Sequence, residues 1–180
     1  MLILVTGAAN SGKSEWAEYL ASQSQQPVLY IATAQKIPED KEWSRKIEKH
    51  RQRRPKDWQT LEITHEISNA LQNAPPQTCV LIDSLGNWVA NHLEIQEENW
   101  ERIVKDFLTT LRRRRGETIL VAEETGWGVI PFYPTGRIFR SRLGELIQQV
   151  GKLANTVYLT VGGYAVDITK IGLRLPSQWR

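Results

Sequence analysis

The chain reads as an α/β protein: a mainly parallel β-sheet covered by helices on both faces. Short segments that are apolar almost throughout, Leu2-Ile3-Leu4-Val5 and Cys79-Val80-Leu81-Ile82 among them, alternate with longer segments of helical periodicity. Strands buried on both faces are what a parallel sheet requires. The predicted strands end at Gly7, Thr33, Asp83 and Glu123, and such a sheet gathers these ends along one edge, where ligands bind. The first strand also runs directly into Gly7-Ala8-Ala9-Asn10-Ser11-Gly12-Lys13-Ser14, which matches G-x-x-x-x-G-K-[ST] at every fixed position.

After the strand over residues 2–6 and this loop, Trp16, Ala17, Leu20 and Ala21 recur at helical spacing, and the polar residues 22–26 with Pro27 end the helix. Residues 28–33 form a second buried strand, and a helix is predicted over 40–50, its pattern closed by Pro55. A short extended run at 58–63 and a helix at 65–72 precede Pro75-Pro76, which turn the chain into the strand ending at Asp83. Helices over 85–93 and 100–114, a strand over 118–123, a helix over 137–153 and a strand over 157–161 complete the alternation. Residues 126–136, with Gly126, Gly128, Gly136, Pro131, Pro134 and several aromatics, form a loop of the length that often carries function. No internal repeat is seen, and the 180 residues read as one domain, 1–180.

With 23 Lys+Arg against 20 Asp+Glu, the formal charge of +3 does not by itself imply a nucleic-acid partner. Its distribution is uneven: Arg45, Lys46, Lys49, Arg51, Arg53, Arg54 and Lys56 crowd around one acid, Glu48. A second block, residues 112–115, reads as the solvated end of a helix, where cations favour the negative pole of the dipole. A nucleic-acid-associated NTPase using the first block is an alternative, but Trp43 and Trp58 are too few for a stacking platform. Cys79 is the only cysteine, so there is no internal disulfide and no support for zinc. No stretch approaches the ~18 apolar residues of a spanning helix, so neither a membrane anchor nor a signal peptide is expected, and the cytoplasm is the expected compartment.

The loop carries the clearest chemistry. Its glycines let successive N–H groups turn inward, Lys13 reaches the outer phosphates, and the Ser14 hydroxyl can hold Mg²⁺ at a helix N-terminus. A nucleoside triphosphate is the expected ligand. Asp83 is either the acid that holds Mg²⁺ with Ser14 or a cap on the next helix, and Glu123 and Glu124 are alternatives as a metal contact or a base. His50 lies in Lys49-His50-Arg51-Gln52-Arg53-Arg54-Pro55, where cations should depress the imidazole pKa below its ordinary ~6.5 and leave the ring neutral. Beside a triphosphate, such a ring can attack phosphorus and form a phosphoramidate. The alternative is a solvated histidine on a basic helix. His65 and His92, on predicted helices, read as structural.

Several strings then fall into one pattern: Ile3-Leu4-Val5-Thr6-Gly7 with Ser11-Gly12-Lys13-Ser14, Tyr30-Ile31-Ala32-Thr33-Ala34, and Ile47-Glu48-Lys49-His50-Arg51 leading to Arg54-Pro55-x-x-Trp58-x-Thr60-x-Glu62. It continues with Leu81-Ile82-Asp83-Ser84-Leu85, Trp88 and Asn91, then Glu124-x-Gly126-x-Gly128-x-Ile130-Pro131 and Phe139-Arg140. Across nearly its whole length the chain resembles the bifunctional adenosylcobinamide kinase / adenosylcobinamide-phosphate guanylyltransferase family of cobalamin biosynthesis. The resemblance implies a P-loop NTPase fold of the RecA-like, three-layer α/β/α kind. It implies phosphorylation of the aminopropanol hydroxyl of adenosylcobinamide from ATP or GTP, then transfer of GMP from GTP to that phosphate, with Mg²⁺ as cofactor.

Carried over by residue, Gly7, Ala8, Ala9, Asn10, Ser11, Gly12, Lys13 and Ser14 would cradle phosphates and Ala32, Thr33 and Ala34 would border the nucleotide. His50 would carry GMP, Arg51, Gln52, Arg53 and Arg54 would form a phosphate-neutralising turn, and Glu62 and Asp83 would contact the guanine nucleotide or its Mg²⁺. A homotrimer with sites near subunit boundaries is implied, with no nucleic-acid partner; a P-loop kinase of another small alcohol is the competing reading. The chain departs from the family's G-G-x-R-S-G-K-S at Ala8 and Asn10, from N-E-V-G at Glu123 and Thr125, from F-R-D at Ser141 and from N-Q at Ile147. The tail over residues 171–180 has no counterpart in the pattern and no functional reading.

Overall fold

In the computed structural model, which describes residues 1–176, strands β1 (Leu2–Gly7), β2 (Val28–Ala32), β3 (Gln59–Glu62), β4 (Cys79–Asp83), β5 (Thr118–Glu123), β6 (Thr156–Val161) and β7 (Tyr164–Asp167) share one sheet. Their order is β3-β2-β4-β5-β1-β6-β7. Every pairing is parallel except β6 with β7. The helices are α1 (Lys13–Ser22), α2 (Lys41–Arg53), α3 (Ile67–Asn73), α4 (Leu85–Ala90), α5 (Glu97–Arg113), α6 (Pro134–Leu153) and α7 (Ile168–Ile171). The last four residues, 177–180, and with them the end of the tail, lie outside the described residues.

Alternation along each strand splits the core between two faces. Leu2, Leu4, Leu29, Ile31, Val80, Ile82 and Leu120 pack with Ile67 and Leu71 of α3, Trp88 of α4, Phe107 of α5 and Leu143 and Val150 of α6. Ile3, Val5, Tyr30, Cys79, Leu81, Ile119 and Val121 face the other way, onto Ala17 and Ala21 of α1. Helices therefore cover both faces, and the mostly parallel α/β architecture read from the sequence is the one found. Cys79 is fully buried in β4, and burial pushes its thiol up to about 12.

Several boundaries differ from the sequence reading. The strand pattern was closed at Val161, yet Gly162 and Gly163, both at positive φ (58° and 83°), turn the chain back so that β7 pairs antiparallel with β6. A Gly-Gly turn of this kind is a hairpin signal. The basic helix does not stop at His50. Asp40 caps α2 by accepting from the Trp43 N–H at 2.9 Å, and Pro55 disfavours helical backbone only at Arg54, so α2 runs to Arg53. Pro134 opens α6 at its first turn, which shortens the glycine-rich loop. His65 and His92 lie outside the helices. Nor is the basic block at 112–115 wholly solvated: Arg114 donates to the carbonyls of Leu71, Ala74, Pro75 and Thr78, closing the end of α3 against the start of β4.

Phe107 is fully buried with its ring 5.0 Å from that of Trp88, at the centre of the larger core. Phe107→Ala should lower the unfolding free energy in urea by about 3–5 kcal/mol through lost transfer energy and the cavity left behind. A loss below about 1 kcal/mol would place this ring outside the core.

Candidate functional site

The phosphate loop leaves β1 with almost no room at its base. A Cβ on Gly7 would stand 2.4 Å from the Thr160 hydroxyl of β6 and 2.5 Å from that of Ser11, so only glycine fits. Asn10 at φ 58° and Gly12 at φ 88° take the left-handed turns that aim the loop inward, and asparagine is among the few side chains that tolerate that region. This gives Asn10 a local reason. Lys13 and Ser14 open α1 and are buried there, with the Lys13 ammonium donating to the Ala8 carbonyl at 3.2 Å. Residues Ala9 to Ser14 line a cavity of about 350 Å³, while Gly7 and Ala8 sit behind it.

Opposite the loop, β2 and β4 bring in further groups. Ala32, Ala34, Glu62 and Asp83 line the cavity, but Thr33 does not, and its expected place beside a nucleotide is corrected. Thr33 is fully buried because its hydroxyl donates to the Ser84 carbonyl at 2.6 Å and accepts from the Ser84 N–H at 2.8 Å, a stitch between the ends of β2 and β4. Glu62 stands at the mouth, paired with Lys36 at 2.7 Å. The capping alternative for Asp83 fails, since Ser84 caps α4 by accepting from the Asn87 N–H. Asp83 instead accepts a 2.7 Å hydrogen bond from the Tyr30 hydroxyl. Burial, with the Asp83 carboxylate adding, raises the Tyr30 pKa, so the phenol stays a donor.

His50 lines the same cavity from the face of α2 that also presents Trp43 and Ile47, with Arg54 just past the helix end. Its Nδ1 lies 3.9 Å from Asp83 Oδ2 and 3.3 Å from an Arg53 nitrogen. Arg53 and Asp83 thus both face Nδ1, and together they fix which way the ring is turned. The imidazole pKa is depressed below its ordinary 6.5. Burial is the first cause, Arg53 and Arg54 add to it, and Asp83 and Glu15 oppose it. The sequence reading named the cations alone.

The four residues after His50 do not form a turn of their own, because α2 continues through Arg53 and sends them in different directions. Arg51 and Arg54 line the cavity, and Arg54 stacks 3.8 Å over the Tyr30 ring. Gln52 faces away toward Glu48, and Arg53 is taken by Glu15 and Glu18 of α1. Glu18, His50 and Asp83 bring one ligand atom each within 4.8 Å of one another, but Arg53 already holds Glu18 and Nδ1. Tyr30, Glu15 and Glu18 were missed as partners, since only the fold shows that α1 and α2 meet here. His65 and His92 meet edge to face with ring centroids 4.9 Å apart, outside the cavity lining, with His92 bonded to the Trp88 carbonyl.

The family described as cobinamide kinase / cobinamide phosphate guanyltransferase matches residues 3–168. A curated relative, the bifunctional adenosylcobalamin biosynthesis protein CobP of Pseudomonas aeruginosa, is 39% identical over 92% of this chain and 95% of its own. Another, CobU of Escherichia coli, is 34% identical over 93% and 99%. Among solved structures, a protein of Pyrococcus horikoshii is similar with a TM-score of 0.55 at 9% identity, covering 93% of this chain and 85% of that one. An ATPase of a bacterial type III secretion system is similar with a TM-score of 0.56 at 8% identity, covering 98% of this chain and 59% of that one. These two likenesses concern the fold alone. Among the described residues no helix is long and apolar enough to cross a membrane.

The electrostatics of His50 can be read directly by NMR titration of its ring. Its pKa should lie below 6.5. It should rise in Arg53→Gln, where a cation that disfavours the imidazolium is gone, and fall in Asp83→Asn, where the favouring anion is gone. A wild-type value at or above the ordinary one, or no movement in either variant, rejects this account.

Proposed function

The chain belongs to the cobinamide kinase / cobinamide phosphate guanyltransferase family, and from that premise we infer how its residues divide two reactions between them. It is a nucleotide-dependent transferase of cobalamin biosynthesis with both activities, adenosylcobinamide kinase and adenosylcobinamide-phosphate guanylyltransferase. The observation that carries the division is that Lys13 and His50 line one cavity from different elements.

In the kinase step, Lys13 and the amides of the loop bind the outer phosphates, and the substrate hydroxyl attacks the γ-phosphorus. In the guanylyl step, the unprotonated nitrogen of the neutral His50 ring gives its lone pair to the α-phosphorus of GTP, the bond from that phosphorus to the bridging oxygen breaks and pyrophosphate leaves, and the phosphate of the substrate then takes GMP from the histidine. Arg51 and Arg54, both on the cavity wall, supply positive charge to the phosphates. Arg53 orients the ring, and Asp83 faces it. Ser14 and Asp83 offer the hard oxygen donors that Mg²⁺ prefers; they would hold the ion, whose charge offsets that of the phosphates.

The same reading takes the fold as a P-loop NTPase of the RecA-like, three-layer kind. The placement of β5 between the phosphate-loop strand β1 and the Asp83 strand β4 supports it, as does the likeness to the secretion ATPase. A cavity of about 350 Å³ suits a nucleotide and leaves a corrin ring outside. Trp127, Val129, Ile130, Phe132 and Tyr133, strongly exposed in the loop ahead of α6, are the apolar surface available to that ring or to a neighbouring subunit. They support a homo-oligomer, a trimer by resemblance.

Label from α-labelled GTP, and none from γ-labelled GTP, should stay on the denatured protein, be lost in acid and survive mild alkali, as a phosphoramidate does. His50→Asn should eliminate this label and keep measurable kinase activity. If the wild type transfers γ-phosphate yet takes up no α-label, the histidine assignment falls and a simple kinase site remains. Lys13→Ala should abolish phosphorylation of adenosylcobinamide in a soluble protein, and unchanged turnover would remove the loop from the reaction.

A further inference from the structure

Glu123 ends β5, the strand between β1 and β4, in register with Gly7 at the base of the phosphate loop. It lines the nucleotide cavity. Its neighbour Glu124 does not line the cavity and accepts from the Thr6 hydroxyl at 2.7 Å. The Glu123 carboxyl is held on one side only. Oε1 accepts a 2.6 Å hydrogen bond from the Ser84 hydroxyl, while Oε2 is shielded from solvent and has no hydrogen-bond partner. An unpaired buried carboxyl oxygen is costly, and such a group in a native fold calls for an explanation.

The surrounding chain makes room for this arrangement. Gly86, in the first turn of α4, presents bare backbone to the carboxyl, and a Cβ there would stand 1.9 Å from Oε2. Ser84 spends its hydroxyl on Oε1 as well as on capping α4. One residue thus fixes the carboxyl and another gives its second oxygen room.

We propose that Glu123 is the catalytic base of the kinase step, taking the proton from the substrate hydroxyl. This rests on the kinase reading given above. The O–H electron pair of the alcohol forms the new O–P bond to the γ-phosphorus, the bond from the γ-phosphorus to the bridging oxygen breaks, the nucleoside diphosphate leaves, and the proton ends on Glu123. Position supports the role, since the loop that binds the outer phosphates starts beside Glu123 on the adjacent strand. So does the environment: burial raises its pKa, Asp83 adds to the rise, and Ser84 and Lys13 oppose it. A carboxylate moved up in this way is a stronger proton acceptor. Catalytic hydrogen bonds also commonly tighten only when substrate is bound, so a carboxyl resting on Gly86 is compatible with the role.

The test measures transfer of γ-label to adenosylcobinamide alongside uptake of α-label by His50. Glu123→Gln keeps the shape and can still accept from Ser84, so kcat for phosphorylation should fall by about 10²- to 10⁴-fold. KM should stay within about threefold and α-label uptake near wild type. Gly86→Ala displaces the carboxyl without changing its chemistry, so it should lower kcat in the wild-type background and add nothing in the Glu123→Gln background. Wild-type kcat in Glu123→Gln overturns the proposal. So does an equal loss of phosphorylation and α-label uptake, which marks a structural role, and so does a Gly86→Ala effect that persists without Glu123. A wild-type chain that transfers no γ-phosphate overturns the kinase reading itself, and this proposal with it.

Discussion

Helix α2 buries none of its side chains completely, yet it carries His50. What holds it over the nucleotide cavity is the Arg53 guanidinium, bonded to Glu15 and Glu18 on the first turns of α1, together with Arg54 stacked on Tyr30. Single exposed ion pairs contribute little. This one is a network that is half-buried at Arg53 and Glu18, and it links α2 to α1. It also bears on the chemistry, because the same guanidinium reaches His50 Nδ1 and disfavours the charged form of the ring. The histidine is positioned from the helix that the phosphate loop begins, which ties its place on the cavity wall to that of the loop.

The layout of the sheet was legible because strands buried on both faces leave an unbroken apolar signature, and the phosphate loop was legible because its backbone demands glycine at fixed points. Gly7 shows the reason in one number: a Cβ there would meet Thr160 at 2.4 Å. Helix ends were read less well. Pro55 was taken as the stop for the basic helix, but proline restrains only the residue before it, and α2 extends to Arg53. That shift of about one turn moves two of the four expected residues, Gln52 and Arg53, off the cavity wall and leaves Arg51 and Arg54 on it.

Long-range pairing was not legible at all. Nothing local to Thr33 distinguishes a residue beside a nucleotide from one stitched to the Ser84 backbone, and the two acids that hold Arg53 lie 35 and 38 residues away in sequence. The Gly162-Gly163 hairpin is a different case, since its signal is local. There the alternation as read ends at Val161, directly before the two-glycine turn.

The adjacent residues Asp83 and Ser84 join the two halves of the proposed site. Asp83 turns toward Tyr30 and His50, while Ser84 turns the other way, toward Glu123, with its backbone fixed by Thr33. Attack at the α-phosphorus and attack at the γ-phosphorus call for groups at opposite ends of a triphosphate. A single rigid strand end that supports both sides allows one loop to serve both reactions. The Glu123 carboxyl needs a neighbour without a side chain, which Gly86 supplies, so the two positions are coupled by volume.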